Sequence, residues 1–273
     1  MPEQTIEHAA PPTETPTDGS EGAFHDEQAS RIYPPGVERH WWSRARNAII
    51  ARHLGRLLDP EGAHSAPVIE IGCGTGVVIH GLRERGFDAT GVDLLRGVPA
   101  TPDVAPHVHF ETDAFDLPAR DRYRAVLLCD VLEHIAEPAE FLRQIRAHFP
   151  EARRMLVTLP ARMEVWSNYD EYYGHYLRYD LRSLRALAAE AGANVEYAGY
   201  FFHGLWPFAR AFKLLGRQRG TTMAAPSLSA AGLHGVVAAA FDLESRLVPR
   251  TIRGLSLLGT LRFDADTPTS HAT

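Results

Sequence analysis

Nine residues constrain this chain more than any others: Val68-Ile69-Glu70-Ile71-Gly72-Cys73-Gly74-Thr75-Gly76, an apolar run with one acid that passes directly into a G-x-G-x-G turn. The run reads as a buried strand, and the residues from Gly76 to about Arg85 read as a helix. Alternate glycines let the backbone take positive φ and let a ligand approach the main chain more closely than any Cβ would permit. A small polar ligand is therefore expected at the carboxyl end of a first strand and the amino end of a helix. That is the usual crevice of an open α/β sheet.

The next elements aim carboxylates at the same crevice. A second strand, residues 87–92, ends in Asp93, whose acid at a strand tip suits a pair of ribose hydroxyls. A third, Val108-His109-Phe110, leads into Glu111-Thr112-Asp113-Ala114, where Asp113 is placed to accept from an adenine amino group or its bound water. Further strands are read at 123–128, 154–159, about 194–201 and 255–263. The loop lacks the G-x-G-x-x-G spacing that brings a helix amino end onto a pyrophosphate. Glu70 would repel a diphosphate but attract an amino group or a sulfonium. A nicotinamide-dependent oxidoreductase and a non-catalytic cofactor-binding protein stay open as alternatives at this level.

The strings VIEIGCGTG, GVDL, ETDAFDLP and CDVLEHI resemble the class I S-adenosylmethionine-dependent methyltransferases, over about Glu38 to Glu196 with the last strand. The resemblance implies an α/β fold, a Rossmann-like seven-stranded mixed sheet with helices on both faces, and S-adenosylmethionine as cofactor. It implies that Glu70, Gly72, Cys73, Gly74 and Gly76 shape the methionine pocket, that Asp93 holds the ribose, and that Leu94, Asp113 and Ala114 surround the adenine. Cys129 and Asp130, ending the fourth strand, would line the floor beside the donor methyl. The string His40-Trp41-Trp42-Ser43-Arg44-Ala45-Arg46 resembles a segment that lays an arginine across the cofactor carboxylate. Arg46 is assigned that role, with Arg44 the alternative and the two tryptophans as packing residues.

Asp130-Val131-Leu132-Glu133-His134 would set Asp130, Glu133 and His134 at i, i+3 and i+4 on one helical face. This resembles the E-x-x-E-H pattern of ubiquinone-biosynthesis O-methyltransferases and small-RNA terminal methyltransferases, with Asp130 in place of the first Glu. The shorter side chain weighs against a metal, so none is assigned and a structural or general-base role is preferred. The run from Pro160 to Asp180, rich in Tyr and Trp, is expected to form a substrate lid. Within it His175 is the first general-base candidate, with His134 the second, because imidazole titrates near ~6.5. The expected reaction is methyl transfer to a small-molecule, glycan or lipid-like acceptor, on oxygen.

Residues 1–30 hold seven of the 34 acids and no Lys or Arg, with Pro11, Pro12 and Pro16 among Thr, Ser and Gly, and read as a disordered acidic tail. The remaining chain is near neutral, so no general nucleic-acid surface is implied. A helical cap is expected over 31–65, the cofactor-binding core over 66–200, a helical insertion or lid over 201–254, the last core strand over 255–265 and a short tail over 266–273. Phe201 to Lys213 combines aromatic and basic residues, which suits a weak membrane-surface contact, although burial on the sheet edge is preferred because Pro207 interrupts a long helix. Residues 218–229 read as a mobile loop. Cys73 and Cys129 have neither metal nor redox spacing, which fits a cytoplasmic protein, and no run is long enough to cross a bilayer.

Overall fold

The computed structural model describes residue 28 and residues 31–58, 65–118 and 120–264. The expected acidic tail, Gln28 apart, and the expected terminal tail lie outside the described residues. Seven strands form one sheet: β1 Val68–Ile71, β2 Ala89–Val92, β3 Val108–His109, β4 Ala125–Cys129, β5 Arg154–Pro160, β6 Ala193–Phe201 and β7 Ser256–Phe263. Their order is β3-β2-β1-β4-β5-β7-β6. β7 runs antiparallel to both β5 and β6, whereas the β1 to β5 ladders are parallel. The sheet is thus the mixed seven-stranded one expected.

Among the described residues it is accompanied by the α-helices α1 Trp41–Leu58, α2 Val77–Arg83, α3 Pro138–His148, α4 Asn168–Tyr172, α5 Leu181–Glu190, α6 Leu205–Leu214 and α7 Ala231–Leu247. The central strands carry apolar residues on both faces, as a parallel sheet covered on both sides requires. β4 divides them by simple alternation: Val126 and Leu128 pack with Leu142, Ile145, Leu184 and Leu187 of α3 and α5. Leu127 and Cys129 pack on the other side with Ile49 and Leu54 of α1 and Ile79 and Leu82 of α2. Each such fully buried Leu or Ile contributes about 1.5–3 kcal/mol by leaving water. β1 pairs with β2 on one side and β4 on the other, so the strand order reverses there. The crevice at the carboxyl ends of β1 and β4 is the place such a sheet offers a ligand.

Local chemistry sets the element ends. Asp180 caps α5, its carboxylate accepting from the amides of Arg182 and Ser183 at 2.8 Å each, and Gly192 follows that helix at φ 76°. The insertion between β6 and β7 departs from the expected burial. Phe201, Phe202 and His203 are buried, yet α6 buries no residue and exposes Phe208, Phe212 and Leu214. Pro207 does not interrupt this helix, because it sits in the first turn where its missing N–H costs nothing. α7 packs on α1 through ion pairing of Arg52 with Asp242 and stacking of Trp41 on Phe241 at 5.0 Å between centroids. Trp42 packs on Phe202. Among the described residues no helix is long and apolar enough to cross a membrane.

Candidate active site

The glycine loop is built around backbone that side chains avoid. Gly72, Gly74 and Gly76 have φ of 72°, 53° and 81°, and a Cβ at each would stand 2.8 Å from Val131, 2.7 Å from Tyr33 and 2.5 Å from Val108. Asp93, at the tip of β2, fastens the loop from below: Oδ2 accepts the Gly74 amide at 2.7 Å and Oδ1 accepts the Leu95 amide at 2.9 Å. A carboxylate has about four acceptor positions, so two stay available on the same group. Leu94 is 71% exposed beside it. Asp113 caps the short turn Ala114–Asp116 by accepting the Phe115 amide at 2.9 Å. The Cys73 thiol, in contrast, turns into the core against Gly91, so that residue offers the pocket only its backbone.

Glu70 sits beneath the loop, 2% exposed, with no hydrogen-bond partner on Oε2. Burial raises its pKa to about 8, although Arg46 and the Cys129 thiol, which donates to it, pull the other way. The neighbouring Asp93 and Asp130 charges add to the rise. A buried carboxyl with one unpartnered oxygen beneath a cradle too tight for side chains fits a ligand bearing a cationic amino group.

The folded state therefore holds a proton that an unfolded glutamate releases near ~4.3. The stability from this group is complete below that value and is lost as pH rises through about 8. A bound cation reverses the preference and expels the proton. At pH 7 the wild type should release close to one proton on binding S-adenosylhomocysteine, and Glu70→Gln none, read by calorimetry in buffers of different ionisation enthalpy. Equal release by both proteins would remove Glu70 from the pocket.

At the ends of β4 and α1, Arg46 pairs with Asp130 at 3.1 Å. Arg46, not Arg44, reaches the cleft; Arg44 donates to the Ala231 carbonyl at the start of α7. Burial lowers the Arg46 pKa, but Asp130 foremost raises it further, so the guanidinium stays charged. Asp130 adopts φ 59° and accepts from the Thr158 hydroxyl at 3.3 Å. This corrects the helical-face reading of Asp130, Glu133 and His134. Residues Leu132–His134 form a single 3-10 turn, and Asp130 belongs to the Arg46 pair instead.

His175 supplies what Asp130 does not. Donor atoms of Glu133, His134 and His175 lie within 4.8 Å of one another, and the two imidazoles meet edge to face at 4.8 Å between centroids. His175 Nδ1 is 2.9 Å from Asp170 Oδ1, which also accepts from Arg178 Nε at 2.7 Å. Asp170 Oδ2 accepts the Ser167 amide at 2.9 Å. Desolvation would raise the Asp170 pKa, but these bonds outweigh it and hold it at about 2. Desolvation and the neighbouring His175 push His134 down to about 4. Glu133, 1% exposed with Oε2 unpartnered, is pushed well up by burial and by Asp130.

A single cavity of about 1000 Å³ joins the glycine loop and Asp93 to His134, His175 and the inner side of α6. Its roof contains a residue that sequence reasoning missed. Tyr33 lays its ring against Gly74, and the strand of chain carrying it is held by the Met223 amide donating to the Arg31 carbonyl at 3.0 Å. Burial pushes the Tyr33 hydroxyl pKa up, Arg46 opposes this, and the Asp130, Glu70 and Asp93 charges reinforce it. No motif marks Tyr33, which stands before Pro34-Pro35 in a stretch without periodicity. Residues 219–224 line the same cavity, with the Tyr173 hydroxyl donating to the Thr221 carbonyl.

Comparison with known proteins agrees with this geometry. A family model described as a methyltransferase domain matches residues 41–198. The mitochondrial ubiquinone biosynthesis O-methyltransferase of Arabidopsis thaliana is 30% identical over 132 residues, 44% of this chain and 40% of that protein. The chain thus matches well under half the length of that curated relative. Among solved structures, a chain of the Haloferax volcanii complex formed with the Trm112 methyltransferase activator superposes with a TM-score of 0.50 at 16% identity, covering 89% of this chain and 97% of that one. Burkholderia thailandensis 1,6-didemethyltoxoflavin-N1-methyltransferase, solved with S-adenosylhomocysteine, gives 0.46 at 17% identity, covering 82% and 81%. The family match spans more than half of the chain, and with it the nicotinamide-dependent alternative falls. Its domain extends from α1 into β6 and contains the glycine loop, Asp93 and the His134–His175 pair, so the chain belongs to the methyltransferase-domain family.

Proposed function

We propose that the protein is an S-adenosylmethionine-dependent methyltransferase that methylates a hydroxyl oxygen of an apolar small-molecule or lipid-like acceptor, with His175 taking up the hydroxyl proton. The observation that carries this reading is an imidazole anchored by a buried aspartate inside the cavity that also holds the glycine loop. The cofactor supplies an activated methyl group on a sulfonium. Glu70 and Arg46 are suited to its amino and carboxylate ends, Asp93 to its ribose diol, Leu94, Asp113 and Ala114 to its adenine, and Cys129 and Asp130 to the floor. Gly72 and Gly74 permit the close approach.

Of the two histidines, His134 is held at about 4 and is a weak base at neutral pH. His175 has its Nδ1 fixed by Asp170, which leaves Nε2 to receive a proton. Aromatic and aliphatic side chains of α1 and α6 dominate the acceptor end of the cavity, which favours a lipid-like body over a glycan. Weak contact of residues 201–213 with a membrane surface belongs to the same proposal, because Phe208 and Phe212 are exposed beside Lys213. Two free buried thiols suit a cytoplasmic setting.

The test is transfer of labelled methyl to matched acceptors that differ only in the nucleophile, 4-octylphenol and 4-octylaniline. Methylation of the phenol, rising with pH and at least about tenfold faster than that of the aniline, is expected if base-assisted oxygen transfer operates. Preference for the aniline would overturn oxygen as the acceptor atom.

A metal-assisted version of the same transfer is favoured by one observation, the convergence of Glu133, His134 and His175 donor atoms within 4.8 Å. Chelation decides between the two. Dialysis against EDTA is expected to leave the rate within about twofold under proton transfer by His175 alone. A loss restored by Mg²⁺ or Mn²⁺ would make these three residues a ligand set.

A further inference from the structure

The cavity wall beyond His175 carries a cation that methyl transfer itself does not use. Arg219 lies between α6 and α7, and its backbone is fastened to α4. Its amide donates to Asn168 Oδ1 at 2.9 Å, and Asn168 Nδ2 donates to its carbonyl at 3.0 Å. This sets the guanidinium over the Tyr169 ring, 4.8 Å from the centroid. Among the described residues the guanidinium has neither a carboxylate partner nor a hydrogen bond; stacking on Tyr169 is its sole close interaction.

The neighbouring charges do not compensate it. Asp170, the acid on that wall, is already shared by His175, Arg178 and the Ser167 amide. Arg178 also donates to the Ala161 carbonyl at 3.2 Å. Burial first, then Arg178, push the Arg219 pKa downward, and Tyr169 and Asp170 offset this only in part. Arg219 is half-buried in the cavity wall, and a guanidinium there without an ion-pair partner is placed to meet an anionic ligand.

Arg219, Tyr169 and His175 line the same cavity. The Tyr169 ring centroid is 6.2 Å from that of His175 and carries Arg219 on its other contact. We infer that the acceptor bears an anionic oxygen group, a carboxylate or a phosphate, which Arg219 binds one aromatic ring away from the base, with the apolar body of the acceptor along α6. The planar fork of a guanidinium matches either oxyanion with two parallel hydrogen bonds, which a lysine cannot do. This inference rests on the oxygen-transfer reading and names the acceptor class: an amphipathic hydroxy acid or hydroxy phosphate.

The test uses octanoate, octyl phosphate and octanol as probes, titrated into the S-adenosylhomocysteine complex of the wild type, Arg219→Met and Arg219→Lys. One of the two anions should bind the wild type at least about tenfold tighter than octanol, as a charge-assisted pair predicts. The preferred anion identifies the headgroup. The preference should vanish in Arg219→Met and survive in part in Arg219→Lys. Equal binding of all three probes by the wild type overturns the inference even if no variant folds, and so does an anion preference retained by Arg219→Met. Binding of S-adenosylhomocysteine and methylation of 4-octylphenol, measured on the same proteins, report separately on the transfer reading.

Discussion

Asp93→Ala is expected to weaken binding of S-adenosylmethionine and S-adenosylhomocysteine by at least about a hundredfold, the loss that two hydrogen bonds to a charged group predict. Two effects combine at this position. The carboxylate, 8% exposed, would lose its remaining acceptor positions toward the ribose diol. It would also stop holding the Gly74 and Leu95 amides at 2.7 and 2.9 Å, so the loop that must approach the ligand would no longer be fixed in place. Asp93→Asn separates the two, because an amide keeps one acceptor for the loop but presents a donor where the other oxygen stood. Its affinity should fall between the wild type and the alanine variant. Calorimetric titration of S-adenosylhomocysteine checks the series, and affinity within about threefold of wild type in Asp93→Ala would place the ribose elsewhere.

The parts of this enzyme that were legible in its sequence are those fixed by local backbone chemistry. The G-x-G-x-G turn demands positive φ, an acid at a strand tip has only the crevice to face, and runs such as Ala125–Cys129 are apolar on both faces because helices cover both. These features announce a strand order reversal with a ligand loop at it, whatever the distant packing. The Asp180 cap is equally local. What was not legible depends on contacts between residues far apart in the chain. Tyr33 reaches Gly74 across 41 positions because the Arg31–Met223 hydrogen bond pins its segment. Asp130 joins Arg46, and not Glu133, because a positive φ at the strand end turns it away from the following turn. A helical wheel drawn through Asp130 to His134 assumes dihedrals that this loop does not have. Arg219 was invisible for the same reason: its distinguishing feature is the lack of an ion-pair partner among the described residues, which no sequence window displays.

His175→Ala should lower kcat by about 10²- to 10⁴-fold, the usual contribution of a positioned general base, while leaving S-adenosylhomocysteine affinity within a few-fold of wild type. The imidazole is 7% exposed and fixed at Nδ1 by an aspartate that is itself fully buried, so its position is set before any acceptor arrives. Asp170→Asn tests that positioning. Its amide can still occupy the space but cannot match the charges of both His175 and Arg178, and leaving Arg178 without its buried partner should cost about 3–5 kcal/mol of stability. Asp170→Asn is therefore expected to lower both the melting temperature and kcat, whereas His175→Ala lowers kcat with a far smaller change in melting temperature. His134→Gln should cost less than His175→Ala, because an imidazole held at about 4 is neutral across the working pH range and accepts a proton reluctantly. Single-turnover rates with 4-octylphenol, together with thermal unfolding of the three variants, distinguish these roles. A His175→Ala rate within about threefold of wild type, paired with a collapse in His134→Gln, would transfer the base to His134 and reduce the Asp170–His175 pair to a structural clamp on the aromatic segment.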